Sequence, residues 1–325
     1  MSQSSPTSAL LSGEVERLLA GLTFPLRHAV RSRVLGQHRS PLAGSSIEFS
    51  EHKEYSPGDD LRRVNWKAYG RLDRFYIKQT IQEASAAAVI FLDTSASMAS
   101  AGDEGVPKLR CAAELAAALA WVLLHQGDQV GMLSADGAGG FEWISPHRHP
   151  SHYHRLVGAM ADMVAPAGRL DREVRGVPAA LAEGLRLADI ERWHDATLLV
   201  ISDFLFPFDE LLTALDRLRH RNNRAWLFHV IHPEEYAPTL EGGVPDWSRP
   251  ARGSFPYKDI CRFRSPETGV SVRADPRMVR REYLSRFKEF LGELRRRAAG
   301  SGITYMPIST AEPADRFLVR TLRGG

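Results

Sequence analysis

Two carboxylates and two hydroxyls in this chain are spaced as donors to a hard cation. The first run is Phe91-Leu92-Asp93-Thr94-Ser95-Ala96-Ser97-Met98. An aspartate closes the apolar stretch 88–92, and hydroxyls follow at alternate positions before a predicted helix. The second run, Val200-Ile201-Ser202-Asp203, puts another carboxylate after another apolar stretch. In open α/β sheets, ligands bind beyond the carboxyl ends of strands, where the strand order reverses. If the two strands are neighbours, Asp93, Ser95, Ser97 and Asp203 share one crevice. An all-oxygen set of this kind suits Mg²⁺, with Mn²⁺ as the alternative. The competing interpretation is helix capping, because serines ahead of a helix accept its free amide N–H groups.

A phosphatase of the haloacid dehalogenase type would also place an aspartate after a buried strand. That chemistry needs a second carboxyl two residues on as general acid, and Ser95 stands there instead. A hydroxyl of ordinary pKa protonates a leaving alkoxide poorly, so a hydrolase is the least favoured alternative. His147, His149, His152 and His154 could supply zinc ligands. Their spacing straddles a proline and a helix start, which favours a polar surface. No phosphate-binding loop, His-Glu-x-x-His run or nucleophile elbow is present. ATP hydrolysis, if it matters, belongs to another chain.

The elements that must position these groups alternate between strand and helix from residue 86 onward. Buried strands are expected over 88–92, 129–134, 196–202, 224–231 and 303–308, with a short one at 141–144. Helices are expected over 107–125, 151–163, 178–188, 208–219 and 276–299, with a short one at the C-terminus. Continuous apolar strands between helices predict a mostly parallel sheet covered on both faces. The fold class is therefore α/β and Rossmann-like. Ahead of it, 1–12 is Ser-rich and expected to be disordered, and 13–85 forms a helical and β segment. A Pro/Gly-rich insertion spans 233–275 within the 86–325 domain.

Of 325 residues, 43% are apolar and 25% charged, the balance of a packed globular protein. Formal charge is only +3, from 42 basic and 39 acidic side chains, which argues against nucleic acid as the main partner. Basic residues interleave with aromatics over 59–78, but a solvated strand face accounts for them. Two distant cysteines make no disulfide framework, so a reducing, cytoplasmic setting is expected. Neither a leader-like N-terminus nor a transmembrane-length apolar run is evident.

The Asp-x-Ser-x-Ser run resembles the metal-ion-dependent adhesion site of von Willebrand factor A domains. That resemblance assigns Asp93, Ser95 and Ser97 to the first motif and Asp203 to the last. It implies a cation whose open position is filled by a partner's carboxylate. It also implies a threonine from a later loop, yet 165–177 contains neither Thr nor Ser, and Asp171 is its only aspartate beside Glu173.

A second resemblance covers most of the chain. Tyr55-Ser56-Pro57-Gly58-Asp59-Asp60-Leu61-Arg62-Arg63-Val64-Asn65-Trp66 is similar to the signature of domain-of-unknown-function family fifty-eight (DUF58). So is the late Phe263-to-Gly269 segment with its Glu267 and Thr268. Asn65 departs from the aspartate usual before the tryptophan. This resemblance implies a bacterial or archaeal, von Willebrand A-like protein. It also implies work beside a MoxR-type AAA+ ATPase on an unknown client protein. From the residues alone, Gly58, Asp59, Asp60 and Arg62 form a turn with internal ion pairs, which Trp66 packs down. The expectation is a non-enzymatic, Mg²⁺-dependent protein-binding module. A metal-independent scaffold with a vestigial site is the alternative.

Overall fold

The computed structural model describes residues 10–26, 48–54, 69–70, 75–82, 87–100, 105–135, 141–165, 177–187, 195–219, 222–265 and 269–323. They fall into two compact units, one of 27–86 and one of 1–26 with 87–325. In the smaller unit, β1 (Glu48–Glu54) and β2 (Tyr76–Gln82) pair antiparallel over seven residues. Gly58, Asp59, Asp60, Arg62 and Trp66 lie outside the described residues, as do Asp171, Glu267 and Thr268.

The larger unit is built on six strands: β3 (Ala87–Asp93), β4 (Gln129–Ala135), β5 (Phe141–His147), β6 (Thr197–Ser202), β7 (Arg224–Ile231) and β12 (Thr304–Ser309). Their spatial order is β12-β7-β6-β3-β4-β5. Every pairing is parallel except that of the edge strand β5 with β4. This is the mostly parallel α/β sheet expected from the sequence. Its order runs outward in both directions from β3, so the switch point lies between β3 and β6. All seven residues of β3 and all six of β6 are buried, which is why neither strand alternates in polarity.

Helices α2 (Lys108–His125), α3 (Pro150–Val164), α4 (Val177–Leu187), α5 (Phe208–Arg219) and α6 (Pro276–Gly300) cover the sheet, and α7 (Ala314–Arg323) closes the chain. One core joins Val89 and Phe91 of β3 to Leu181 and Leu185 of α4, Leu211 and Leu215 of α5, and Leu294 and Ala298 of α6. On the other face α2 packs against β3 and meets α1 (Gly13–Leu19), α3 and α7. α2 is apolar around most of its circumference, from Cys111 to Leu124, because it is enclosed on several sides. Among the described residues no helix is long and apolar enough to cross a membrane.

The expected 13–85 block divides in two, because α1 belongs to the larger unit. Leu19, Leu22, Phe24 and Leu26 are buried there. The Phe24 N–H donates to Gln126 Oε1 at 2.8 Å, and the Phe24 ring lies 4.7 Å from that of Trp226. Leu10 and Leu11, expected in a disordered tail, are buried, and Ser12 caps α1 by accepting from the Val15 N–H.

The Pro/Gly-rich insertion forms two hairpins. β8 (Pro238–Glu241) pairs with β9 (Val244–Pro250) through Gly242 and Gly243, whose φ angles of 60° and 83° suit a two-residue turn. β10 (Cys261–Arg264) pairs with β11 (Ser271–Ala274). The insertion is anchored by Tyr236, which is fully buried and stacked on Trp247 and Phe287.

Candidate functional site

Parallel register brings the two carboxylate-bearing strand ends together. Leu92 pairs with Ile201, so Asp93 emerges beside Ser202, and Asp203 follows at once. The Ser202 hydroxyl donates to Asp93 Oδ2 at 2.6 Å, and the Ser95 N–H donates to Asp93 Oδ1 at 2.9 Å. Ser95 Oγ and Ser97 Oγ lie 3.2 Å apart in the turn leading to the short 3₁₀ helix Ala96–Ala99. Ser95 flanks that helix without a side-chain capping bond, so the capping explanation does not account for its hydroxyl. Asp93, Ser95, Ser97 and Asp203 are all buried, at 0%, 3%, 4% and 2% exposure. Asp93 is thus joined to Ser95 and Ser202 by hydrogen bonds and feels the Asp203 charge, and Ser97 adjoins Ser95.

Three residues complete this cluster that the motifs did not indicate. Lys108, at the start of α2, is 1% exposed, and its Nζ donates to Asp203 Oδ2 at 2.8 Å and to Glu235 Oε1 at 2.7 Å. Glu235 Oε2 in turn accepts the His232 N–H at 3.1 Å. His229, fully enclosed on β7, makes a 2.6 Å hydrogen bond through Nδ1 with the Tyr305 hydroxyl. A lysine at a helix start looks like surface in sequence, and Glu235 sits in a turn with no pattern around it. Only the buried strand carrying His229 gave any signal. The other oxygen of Asp203 accepts the Leu205 N–H at 3.2 Å, across a turn in which Phe204 has a φ of 52°.

Burial pushes the Asp93 carboxyl up to about 7; the nearby Asp203 charge adds to the rise, and hydrogen bonds from Ser202 and Ser95 oppose it. Burial would lower the Lys108 pKa, but the Asp203 and Glu235 charges outweigh it, and the ammonium is held above its ordinary value. Burial pushes the His229 imidazole down to about 3, so that ring is neutral.

The charge balance is unequal across the cluster. Asp203 and Glu235 share one ammonium, while the hydrogen-bond donors to Asp93 are uncharged. An enclosed carboxylate without a cation is unfavourable. With the Ser95 and Ser97 hydroxyls beside it, Asp93 offers the hard oxygens a small divalent cation prefers. The donor set therefore fits such an ion at the Asp93 end. At Asp203 one oxygen is already taken by Lys108.

The histidine-rich run does not assemble. His149 caps α3 by accepting the Ser151 N–H, while His152 Nε2 bonds the Val130 carbonyl at 2.9 Å. His147 meets His152 edge-on, and His154 lies beside Tyr153. Among the described residues no three His, Cys, Asp or Glu side chains converge on a metal position.

A family model described as "Protein of unknown function DUF58" matches residues 51–238, more than half of the chain. The chain belongs to the DUF58 family. The match takes in part of β1, all of β2 and the sheet strands β3 to β7, with all four expected site residues inside it. The Mycobacterium tuberculosis protein named "Uncharacterized protein Rv1480" is 30% identical over 207 residues, which cover 62% of this chain and 62% of that protein. The DUF58 chain thus spans less than two thirds of this relative's length. Among solved structures, BatB from Bacteroides thetaiotaomicron is similar at 16% identity and a TM-score of 0.41, covering 74% of this chain and all of that one. A von Willebrand factor type A structure from Catenulispora acidiphila is similar at 14% identity and a TM-score of 0.31, covering 47% and 34%. At that level of likeness, the strand order itself is the ground for the fold.

Proposed function

We propose that this chain is a non-catalytic protein-binding module whose contact is a divalent cation, Mg²⁺ or Mn²⁺, held at Asp93, Ser95 and Ser97 with Asp203 behind them. The single observation carrying this reading is Asp93, a carboxylate enclosed at the carboxyl end of the central strand whose hydrogen-bond donors are all uncharged. When bound, the ion would supply an open coordination position for a carboxylate of another protein. Asp93 would neutralise the ion, the two serine hydroxyls would fix its place, and Ser202 would hold Asp93 in orientation. Lys108 would hold the Asp203 carboxylate in place. The family resemblance supplies the partner in this proposal, a MoxR-type AAA+ ATPase acting with it on a client protein in the cytoplasm. Two free cysteines are compatible with a reducing setting.

Lys108 favours a second reading. Its ammonium satisfies Asp203 without any ion, and the 165–177 segment lacks the expected threonine. In that case the module binds its partner without metal. Titrating the purified chain with Mn²⁺ and reading free ion by electron paramagnetic resonance separates the two. The metal reading predicts one bound Mn²⁺ per chain, displaced by excess Mg²⁺ and lost in Asp93→Asn. No binding, or binding that survives in a folded Asp93→Asn variant, would leave the metal-independent reading.

A further inference from the structure

Positive charge is concentrated in one stretch of this chain. Residues 249–281 carry nine Lys and Arg against three Asp and Glu, although the whole chain is only +3. Several of these cations are occupied. Arg249 pairs with Glu241, Arg277 reaches Asp259 and the Lys258 carbonyl, and Arg280 binds the carbonyls of Arg252 and Ser254.

Three are not. Arg262, Arg264 and Arg273, on the β10–β11 hairpin, are exposed and make no side-chain hydrogen bond or ion pair among the described residues. Arg262 and Arg273 are directly opposite one another across the ladder, and Arg264 lies two residues along from Arg262, on the same face. Like charges in opposite cross-strand positions destabilise a hairpin. On the opposite face Phe263 is turned to the body, since it stacks on Phe255, itself 5% exposed, and meets Tyr257 edge-on, while its cross-strand neighbour Val272 is 59% exposed. The face that carries them therefore presents three guanidinium groups with no matching anion among the described residues. Among the described residues its two strands pair with each other alone, so each retains an outer edge.

We infer that this hairpin face docks an extended segment of a partner protein bearing carboxylates at alternate positions. Same-face side chains on a strand repeat at roughly 7 Å, and an extended peptide repeats its own at the same spacing. Arginine donates two parallel hydrogen bonds to a carboxylate. A free strand edge gives such a segment main-chain partners as well. Single-stranded nucleic acid fits less well, because it needs aromatic platforms beside the cations, and the hairpin's Phe263 faces inward. An anionic bilayer needs apolar side chains on the basic face. Here Val272 lies opposite Phe263, on the other face. The inference is independent of the Asp93 site.

The test uses the full chain and a fluorescein-labelled peptide in which three glutamates alternate with threonines. Its controls are an isomer with the glutamates contiguous, a thymidine oligonucleotide and phosphatidylserine vesicles. The alternating peptide should bind at least about tenfold more tightly than its isomer, and the Arg262→Ser/Arg264→Ser/Arg273→Ser variant should lose about tenfold or more. Tighter binding of the oligonucleotide or the vesicles, or unchanged affinity in the variant, would overturn the proposal. Removing the opposed charges should leave the melting temperature equal or higher. A clear fall would show that the arginines serve the scaffold, and would overturn it too.

Discussion

An ammonium 2.8 Å from Asp203 and 2.7 Å from Glu235, at 1% exposure, holds together two carboxylates that would otherwise repel. Removing one member of a buried ion pair leaves the other uncompensated. Lys108→Met should therefore cost about 3–5 kcal/mol in urea unfolding, and adding Asp203→Asn should recover part of that loss. Strictly additive losses would show that the pair is not coupled. The Asp93 side of the cluster was legible in sequence, because a carboxylate followed by alternate hydroxyls after an apolar run has few other uses. Lys108 and Glu235 were not, since burial of a charged residue depends on partners 95 and 127 positions away.

At the scale of elements, α3 is clamped to β4 through the His152 side chain and the Val130 carbonyl, where Met132 resumes pairing after a shift in the β4–β5 register. Burial lowers the His152 pKa, the hydrogen bond to Val130 opposes this, and nearby His147 and Arg155 lower it further. A depressed folded-state value means that the unfolded chain binds the proton more readily. The contribution of neutral His152 is thus complete above the ordinary value of 6.5 and is lost as pH falls through the lowered one. His152→Gln keeps a donor for Val130 and does not titrate. Its urea midpoint should fall less than the parent's between pH 7.5 and pH 5, and parallel falls would contradict this assignment. The strands and helices of the sheet were legible because their apolar runs and periodicity agree with their burial. The N-terminal boundary was not: α1 is amphipathic wherever it packs, and only tertiary contacts such as Phe24 with Trp226 assign it to the larger unit.

At the scale of the molecule, the chain is a member of the DUF58 family whose larger unit carries the Asp93–Asp203 cluster at the β3–β6 switch point and a basic insertion elsewhere. The near-neutral total charge concealed that insertion, because opposite excesses in other segments cancel it. The central claim is that partner binding depends on Asp93. Its most direct test is the affinity of the proposed partner, a MoxR-type ATPase from the same host, for the parent chain and for Asp93→Ala, measured by surface plasmon resonance at constant Mg²⁺ so that the ATPase itself is unchanged. The account predicts at least about a tenfold weaker complex for the variant, or about 1.4 kcal/mol. Equal affinity for a variant that folds normally would contradict it.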